Sequence, residues 1–268
     1  MRYLLILSIG LLLFGCTGEE SLGVDTQNPR KPDLIPHLGD TGDYSPGTND
    51  TLNYYNTIDL DFENNGMDAV MEGDWLKIQW HRLEDSDIDY LQVYRFSAQD
   101  YYLDSLNFVQ IIDTVDYNDQ ISYIDQAAFI DKNYFYFIKV FDFAGNSTVS
   151  DTTSYKLIDK PYLIAPSDNY SSVNVNSLVF EWQQSGSDAI QHRLLVFNEN
   201  RELIWQNTPL DLEDFIVPYN GPPVEPGTVL IWRVDSFGIS FTTPLPIEGN
   251  YYTIKSGAES VERYIFIE

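Results

Sequence analysis

Asn133-Tyr134-Phe135-Tyr136-Phe137-Ile138-Lys139-Val140 is the run whose reading decides the fold. It is dense in aromatic and β-branched side chains, contains no glycine or proline, and ends in the turn residues Asp142-Phe143-Ala144-Gly145-Asn146-Ser147. Side chains along a strand alternate between faces. Tyr134, Tyr136, Ile138 and Val140 therefore point one way, and Phe135, Phe137 and Phe141 the other. The same period of two recurs upstream. Leu76, Ile78 and Trp80 alternate with Lys77, Gln79 and His81, and Leu91 and Val93 alternate with Gln92 and Tyr94. Residues 108–115 and 122–125 are further short candidates, and no run between them has a helical period. Many short strands separated by turns predict an all-β, antiparallel sandwich.

The pattern breaks at Asp159-Lys160-Pro161 and starts again. Leu178, Phe180 and Trp182 repeat the alternation that ends at Trp80, and His192, Leu194 and Val196 supply the next inner face. Leu203-Ile204-Trp205 lies on a further strand, and Leu230-Ile231-Trp232-Arg233-Val234 follows the turn Pro226-Gly227-Thr228. The last strand is expected at Gly249-Asn250-Tyr251-Tyr252-Thr253-Ile254. These residues resemble the fibronectin type III family. Trp80 matches its B-strand tryptophan, Tyr90-Leu91-Gln92-Val93-Tyr94-Arg95 its C strand, Tyr134 its tyrosine corner, and Asp142 to Ser150 the exit from its F strand. Leu230 departs from the pattern, because it occupies the corner position in the second copy. The resemblance implies two tandem immunoglobulin-like, fibronectin type III-like β-sandwiches at residues 67–158 and 159–256, in each of which strands C and F share a sheet. Residues 257–268 are left as a tail or an added edge strand.

Residues 1–15 read as a signal peptide. Arg2 precedes an apolar run from Tyr3 to Leu13, which is too short to span a bilayer comfortably. Leu13-Phe14-Gly15-Cys16 resembles the lipobox of bacterial lipoproteins, which implies that Cys16 is acylated and the signal cut before it. Several acyl chains, at roughly 0.8 kcal/mol per buried methylene, make a stable anchor. Glu19-Glu20 is similar to the acidic export signal of Bacteroidetes-type surface lipoproteins, which implies the outer face of the outer membrane. Residues 16–66 then read as the lipidated cysteine and a flexible acidic tether, rich in Gly, Pro, Asp, Asn and Thr and without period. About forty such residues average roughly 35 Å end to end.

The chain carries 41 acidic against 15 basic residues, a formal net charge of −26. A field of that sign repels phosphate backbones, so no nucleic-acid partner is expected. Cys16 is the sole cysteine, so no internal disulfide exists. No phosphate loop, nucleophile elbow or metal-ligand spacing is present, and His37, His81 and His192 fall on unrelated segments. Hence no catalytic residues, no metal site and no cofactor are expected, and the chain reads as a non-enzyme. Asp59-Leu60-Asp61-Phe62-Glu63-Asn64-Asn65-Gly66 and Glu84-Asp85-Ser86-Asp87 gather oxygen ligands but lack the calcium-loop spacing, so they read as solvated turns. The candidate binding face is the outer side of the first sandwich: Tyr94, Phe135, Phe137 and Phe141, with Gln92. Such a platform suits a sugar ring or a peptide; alternatively the tether, the second module or the tail covers it. The expected role is a lipid-anchored surface protein for adhesion, recognition or spacing. The alternatives are a glycan-binding accessory lipoprotein of an outer-membrane uptake system, or a structural subunit of a secretion or motility apparatus. The expected partners are the membrane, through Cys16, and a protein or polysaccharide at the cell surface.

Overall fold

The computed structural model describes residues 25–35, 66–103, 109–116, 120–167, 170–186, 188–211, 215–244 and 251–268. Cys16, the signal peptide, most of the expected tether, His37 and residues 59–65 lie outside the described residues. In the first half, β1 (Met67–Val70), β2 (Trp75–Gln79) and β5 (Ser122–Asp125) form one antiparallel sheet in the order β1-β2-β5. The facing sheet runs from β4 (Gln110–Asp116) through β3 (Ile88–Ser97) to β6 (Asn133–Asp142). On its far side β6 pairs first with β7 (Ser147–Val149) and then with β8 (Thr153–Leu157). A short helix, α1 (Ala98–Leu103), follows β3. The expected inner residues do turn inward: Leu76, Ile78, Trp80, Leu91, Val93, Tyr134, Tyr136, Ile138 and Val140 share one buried cluster. The Tyr134 hydroxyl hydrogen-bonds the backbone of Phe129, which closes the corner.

The second half repeats this plan. β9 (Pro161–Ala165), β11 (Val179–Gln184) and β14 (Ile216–Pro218) form the small sheet. Opposite it lie β13 (Leu203–Asp211), β12 (Ala189–Asn198), β15 (Val229–Gly238) and β18 (Arg263–Ile267), and β10 (Ser171–Val173) runs parallel to β18. Phe180, Trp182, Leu194, Val196, Trp232 and Val234 fill the core, and Leu230 is buried there in place of a corner tyrosine. The expectation for the C-terminus fails. Residues 257–268 are neither a frayed tail nor an edge, because β18 lies between β15 and β10 and buries Ile265 and Ile267 in the second core.

One serine marks the same place in both copies. Ser150 donates its N–H to the Ile138 carbonyl at 2.9 Å, and its Oγ accepts from the Ile138 N–H at 3.0 Å and donates to the Asp151 carbonyl at 2.7 Å. Ser260 does the same with Val234 at 2.9 and 3.0 Å and with Val261 at 2.9 Å. Each serine kinks the last strand, so that one part pairs before the kink and the other after it. In the first copy the chain runs from Asp142 to Ser150 through one tight turn. In the second it makes a long excursion from Gly238 to Ser260, containing β16 (Phe241–Pro244) and β17 (Tyr251–Glu259).

That excursion joins the halves. Lys255, Ser256 and Gly257 of β17 pair in parallel with Tyr155, Lys156 and Leu157 of β8, while Gly257 to Glu259 pair with β15. One sheet therefore runs unbroken through both halves, in the order β10-β18-β15-β17-β8-β6-β3-β4. Gly257 sits where two strands and a ring converge. A Cβ there would stand 2.5 Å from the Tyr155 hydroxyl and 2.9 Å from the Ser236 carbonyl. Ile254 of β17 is buried against Phe96 and Phe135. Ile158, Ala189 and Ala258 form a small apolar contact at the junction, and Lys160 Nζ donates to the Val70 carbonyl at 2.7 Å.

One further expectation needs correction. Residues 25–35 are not free tether. Ile35 N–H donates to Gln79 O at 3.2 Å, His81 N–H donates to Asp33 O at 2.9 Å, and Leu34 bridges to Trp80, so the segment extends the small sheet beside β2. Arg30 pairs with Glu84 and Asp85, and Lys31 with Asp151, so the few cations of this stretch meet acidic turns. The outer faces of β12 and β15 are buried as well. Leu195, Phe197 and Ile231 are buried beside the Arg193–Asp235 ion pair at 2.9 Å, and Arg233 lies 3.1 Å from Asp235 and 3.4 Å from Glu259.

The docked excursion predicts joint melting of the two sandwiches. Ile254→Asp puts a carboxylate against Phe96 and Phe135 and should cost roughly 3 kcal/mol of docking. Scanning calorimetry is expected to show one transition for the native chain and two for the variant.

Candidate functional site

Outer-face residues of β3 and β6 meet across the strands as a ladder. Tyr90 pairs with Phe141, Tyr94 with Phe137 and Phe96 with Phe135, with ring centroids 4.5, 4.6 and 5.0 Å apart and interplanar angles of 14°, 6° and 12°. Gln92 and Lys139 occupy the remaining rung, Lys139 Nζ lies 4.8 Å from the Phe141 ring, and the Tyr94 hydroxyl donates to Gln92 Oε1 at 2.7 Å. Two parts of the expected platform change. Phe135 is fully buried, capped by Ile254 and by the edge-on ring of Tyr252 at 5.5 Å, so the second module covers this end. Tyr94, Phe137 and Phe141 are half-buried, and each spends a ring face on its cross-strand partner. Rings stacked across neighbouring strands stand upright on the sheet, with edges toward solvent. The expected flat, coplanar surface is absent here, and the stacks act first as cross-strand stabilisers.

Buried polar groups elsewhere have structural roles. Asp125 accepts hydrogen bonds from Arg95 at 2.7 Å, from the Tyr136 hydroxyl at 2.8 Å and from Ala127 N–H at 2.9 Å, which ties β5 to β3 and β6. Desolvation first, and then the Asp125 charge, pushes the Tyr136 phenol well above its ordinary pKa. His192 is buried among Trp182 and Phe215, 3.2 Å from Gln184 Oε1, and burial lowers its pKa from 6.5 to about 4. Carboxylate oxygens of Asp25, Asp87 and Asp142 lie within 4.8 Å of one another. Burial works to raise the Asp142 pKa, but hydrogen bonds from the Asn146 side chain and backbone and from the backbone of Ala144 and Gly145 hold it below the usual range.

A polar cleft of about 510 Å³ opens where the excursion meets the first sandwich. Asp33 and Leu34 come from the N-terminal segment, His81 from just after β2, Asp151 from the approach to β8, Thr153 from the start of β8, and Tyr251 and Tyr252 from β17. Thr153 is 6% exposed, and its Oγ1 has no hydrogen-bond partner among the described residues. Tyr251, by contrast, leaves 74% of its surface in solvent. Sequence reading missed this site because four distant segments build it and none carries a motif. One signal was available: the stretch from strand F to the closing serine is much longer in the second copy, and it contains Tyr251-Tyr252.

Each half stacks a three-stranded sheet on one whose strands follow the order C′-C-F-G, closed by the serine kink. Both halves are fibronectin type III-like sandwiches. No protein-family model matches the chain, and no curated protein matches it. Among solved structures it is similar to the FN1–FN3 domains of chicken CNTN1, at 12% identity over 75% of this chain and 66% of that one, with a TM-score of 0.34. It is similar also to the fibronectin(III)-like modules of CbhA from Clostridium thermocellum, at 15% identity over 77% and 94%, TM-score 0.28. A third similarity, to pectate lyase PelI from Erwinia chrysanthemi, has 14% identity over 37% of this chain and a TM-score of 0.27. The match spans 33% of the lyase's length.

Two outcomes follow from this geometry. Between pH 6.5 and about 4 the unfolded chain takes up a proton at residue 192 that the folded chain refuses. Acidification through that window should therefore remove about 2–3 kcal/mol of stability, and His192→Leu should flatten that part of a melting-temperature profile against pH. Phe137→Ala and Tyr94→Ala should each cost about 1 kcal/mol in urea unfolding, with a coupling between them in the double variant.

Proposed function

We propose that this chain is a non-enzymatic lipoprotein, anchored in the outer membrane through acylated Cys16, that holds two sandwich modules at the cell surface as one stiff recognition unit. The observation that carries the reading is the pairing of β17 with β8, which sets both modules in a continuous sheet. A spacer or presenting element gains from such stiffness, because flexing between modules would spread a displayed site over many orientations. Modules of this sandwich type serve widely as binders and spacers at cell surfaces. The reading is also supported by the burial of the ionisable clusters around Asp125 and Asp235, which are spent on strand-to-strand hydrogen bonds. The acidic surface suits solubility in the medium and disfavours nucleic acid as a partner. The partner in this reading is a protein or polysaccharide outside the cell.

Fractionation tests the anchor, and shaving of intact cells with protease tests the display. Cys16→Ser should move the protein from the membrane to the soluble fraction. The native chain should be cleaved on intact cells while periplasmic markers survive. Membrane retention of the variant, or full protection of the native chain, would overturn this reading.

A further inference from the structure

The cleft between the modules also bears on the class of ligand. Its volume of about 510 Å³ lies within the range of about 300–1,000 Å³ common to small-molecule sites, and it sits at a domain junction, where such sites concentrate. Its chemistry is narrow. Among the described residues Leu34 contributes the one aliphatic side chain, which offers little to a hydrophobic peptide anchor. Asp33 and Asp151 stand on its wall in a chain of net charge −26, so phosphates, sulfates and uronates are repelled. Asp151 already pairs with Lys31, so a cationic ligand would have to compete for that carboxylate.

What remains is a neutral ligand rich in hydroxyl groups. Thr153 Oγ1, buried and without a partner among the described residues, is a hydrogen-bonding atom that a ligand hydroxyl can satisfy. The ring of Tyr251 at the same cleft offers what the β3–β6 ladder cannot, an aromatic side chain largely open to solvent. The C–H face of a pyranose packs against such a ring while its hydroxyls reach the polar wall.

We infer that the cleft binds a neutral saccharide, stacked on Tyr251 and hydrogen-bonded through Thr153 and Asp33. This rests on reading the chain as a surface recognition protein, and it names what is recognised. The test is affinity electrophoresis of the full chain, purified in detergent, through gels containing mannan, xylan, a β-glucan, an α-glucan or a galactan, with polygalacturonate as the anionic comparison. Retardation by at least one neutral polymer and none by polygalacturonate is expected. Tyr251→Ala and Thr153→Val should each weaken it roughly tenfold, and Tyr94→Ala should leave it unchanged, with circular dichroism confirming that each variant is folded. No retardation by any neutral polymer, binding to polygalacturonate alone, or full binding by folded Tyr251→Ala would overturn the assignment. A chain that binds no saccharide yet stays anchored and protease-accessible loses this inference and keeps the display reading.

Discussion

An edge strand offers a row of unpaired N–H and C=O groups, and β8 closes the sheet of the first sandwich with such an edge. The second sandwich answers it with β17, whose Lys255, Ser256 and Gly257 satisfy that edge in parallel register. The same few residues set the rest of the molecule. They bring Ile254 onto Phe96 and Phe135, place Tyr251 beside Thr153, and leave Gly257 no room for a side chain. Remove that pairing and the continuous sheet, the buried end of the ladder and the inter-module cleft all disappear together.

The two copies use their strand F to G connections differently. In the first, Asp142 fastens Asn146 at 2.8 Å through the backbone and 2.9 Å through the side chain, and the turn ends on itself. In the second, the connection reaches across to a neighbour before Ser260 returns it to the common path. The serine kink is a local device needing one hydroxyl and two backbone groups, so it survives in both copies while the connection between its ends diverges.

Charge is handled in the same economical way. The few cations meet carboxylates at close range: Arg30 with Glu84 and Asp85, Lys31 with Asp151, Lys156 with Asp188, and Arg201 with Glu262. Exposed pairs of this kind contribute little stability individually, about 0–1 kcal/mol. Their effect here is positional, since Arg30 and Lys31 lay the N-terminal segment along the first sandwich and so complete one wall of the cleft. The buried pair Arg193–Asp235 differs, because breaking it would strand an uncompensated charge inside the protein.

The inner faces of both sandwiches were legible from alternation alone: Trp80, Tyr134 and Tyr136 in one, Trp182, Leu194 and Trp232 in the other. Alternation is a local property of the backbone, and a buried face demands apolar residues at every second position. The outer faces were not legible. Whether Phe135 is a ligand platform or a buried contact depends on β17, more than a hundred residues away, and no local pattern encodes that encounter. The same holds for the final strand: Tyr251-Tyr252-Thr253-Ile254 and Arg263–Ile267 both read as strands, and only pairing partners decide which closes the sandwich and which bridges to its neighbour. By itself the sequence determined the positions of the long strands, their inner faces, the repeat and the acidic charge, since these follow from neighbours along the chain. Tertiary structure alone decided the joined sheet, the upright aromatic stacks and the cleft, since these follow from hydrogen bonds and contacts between segments far apart in it.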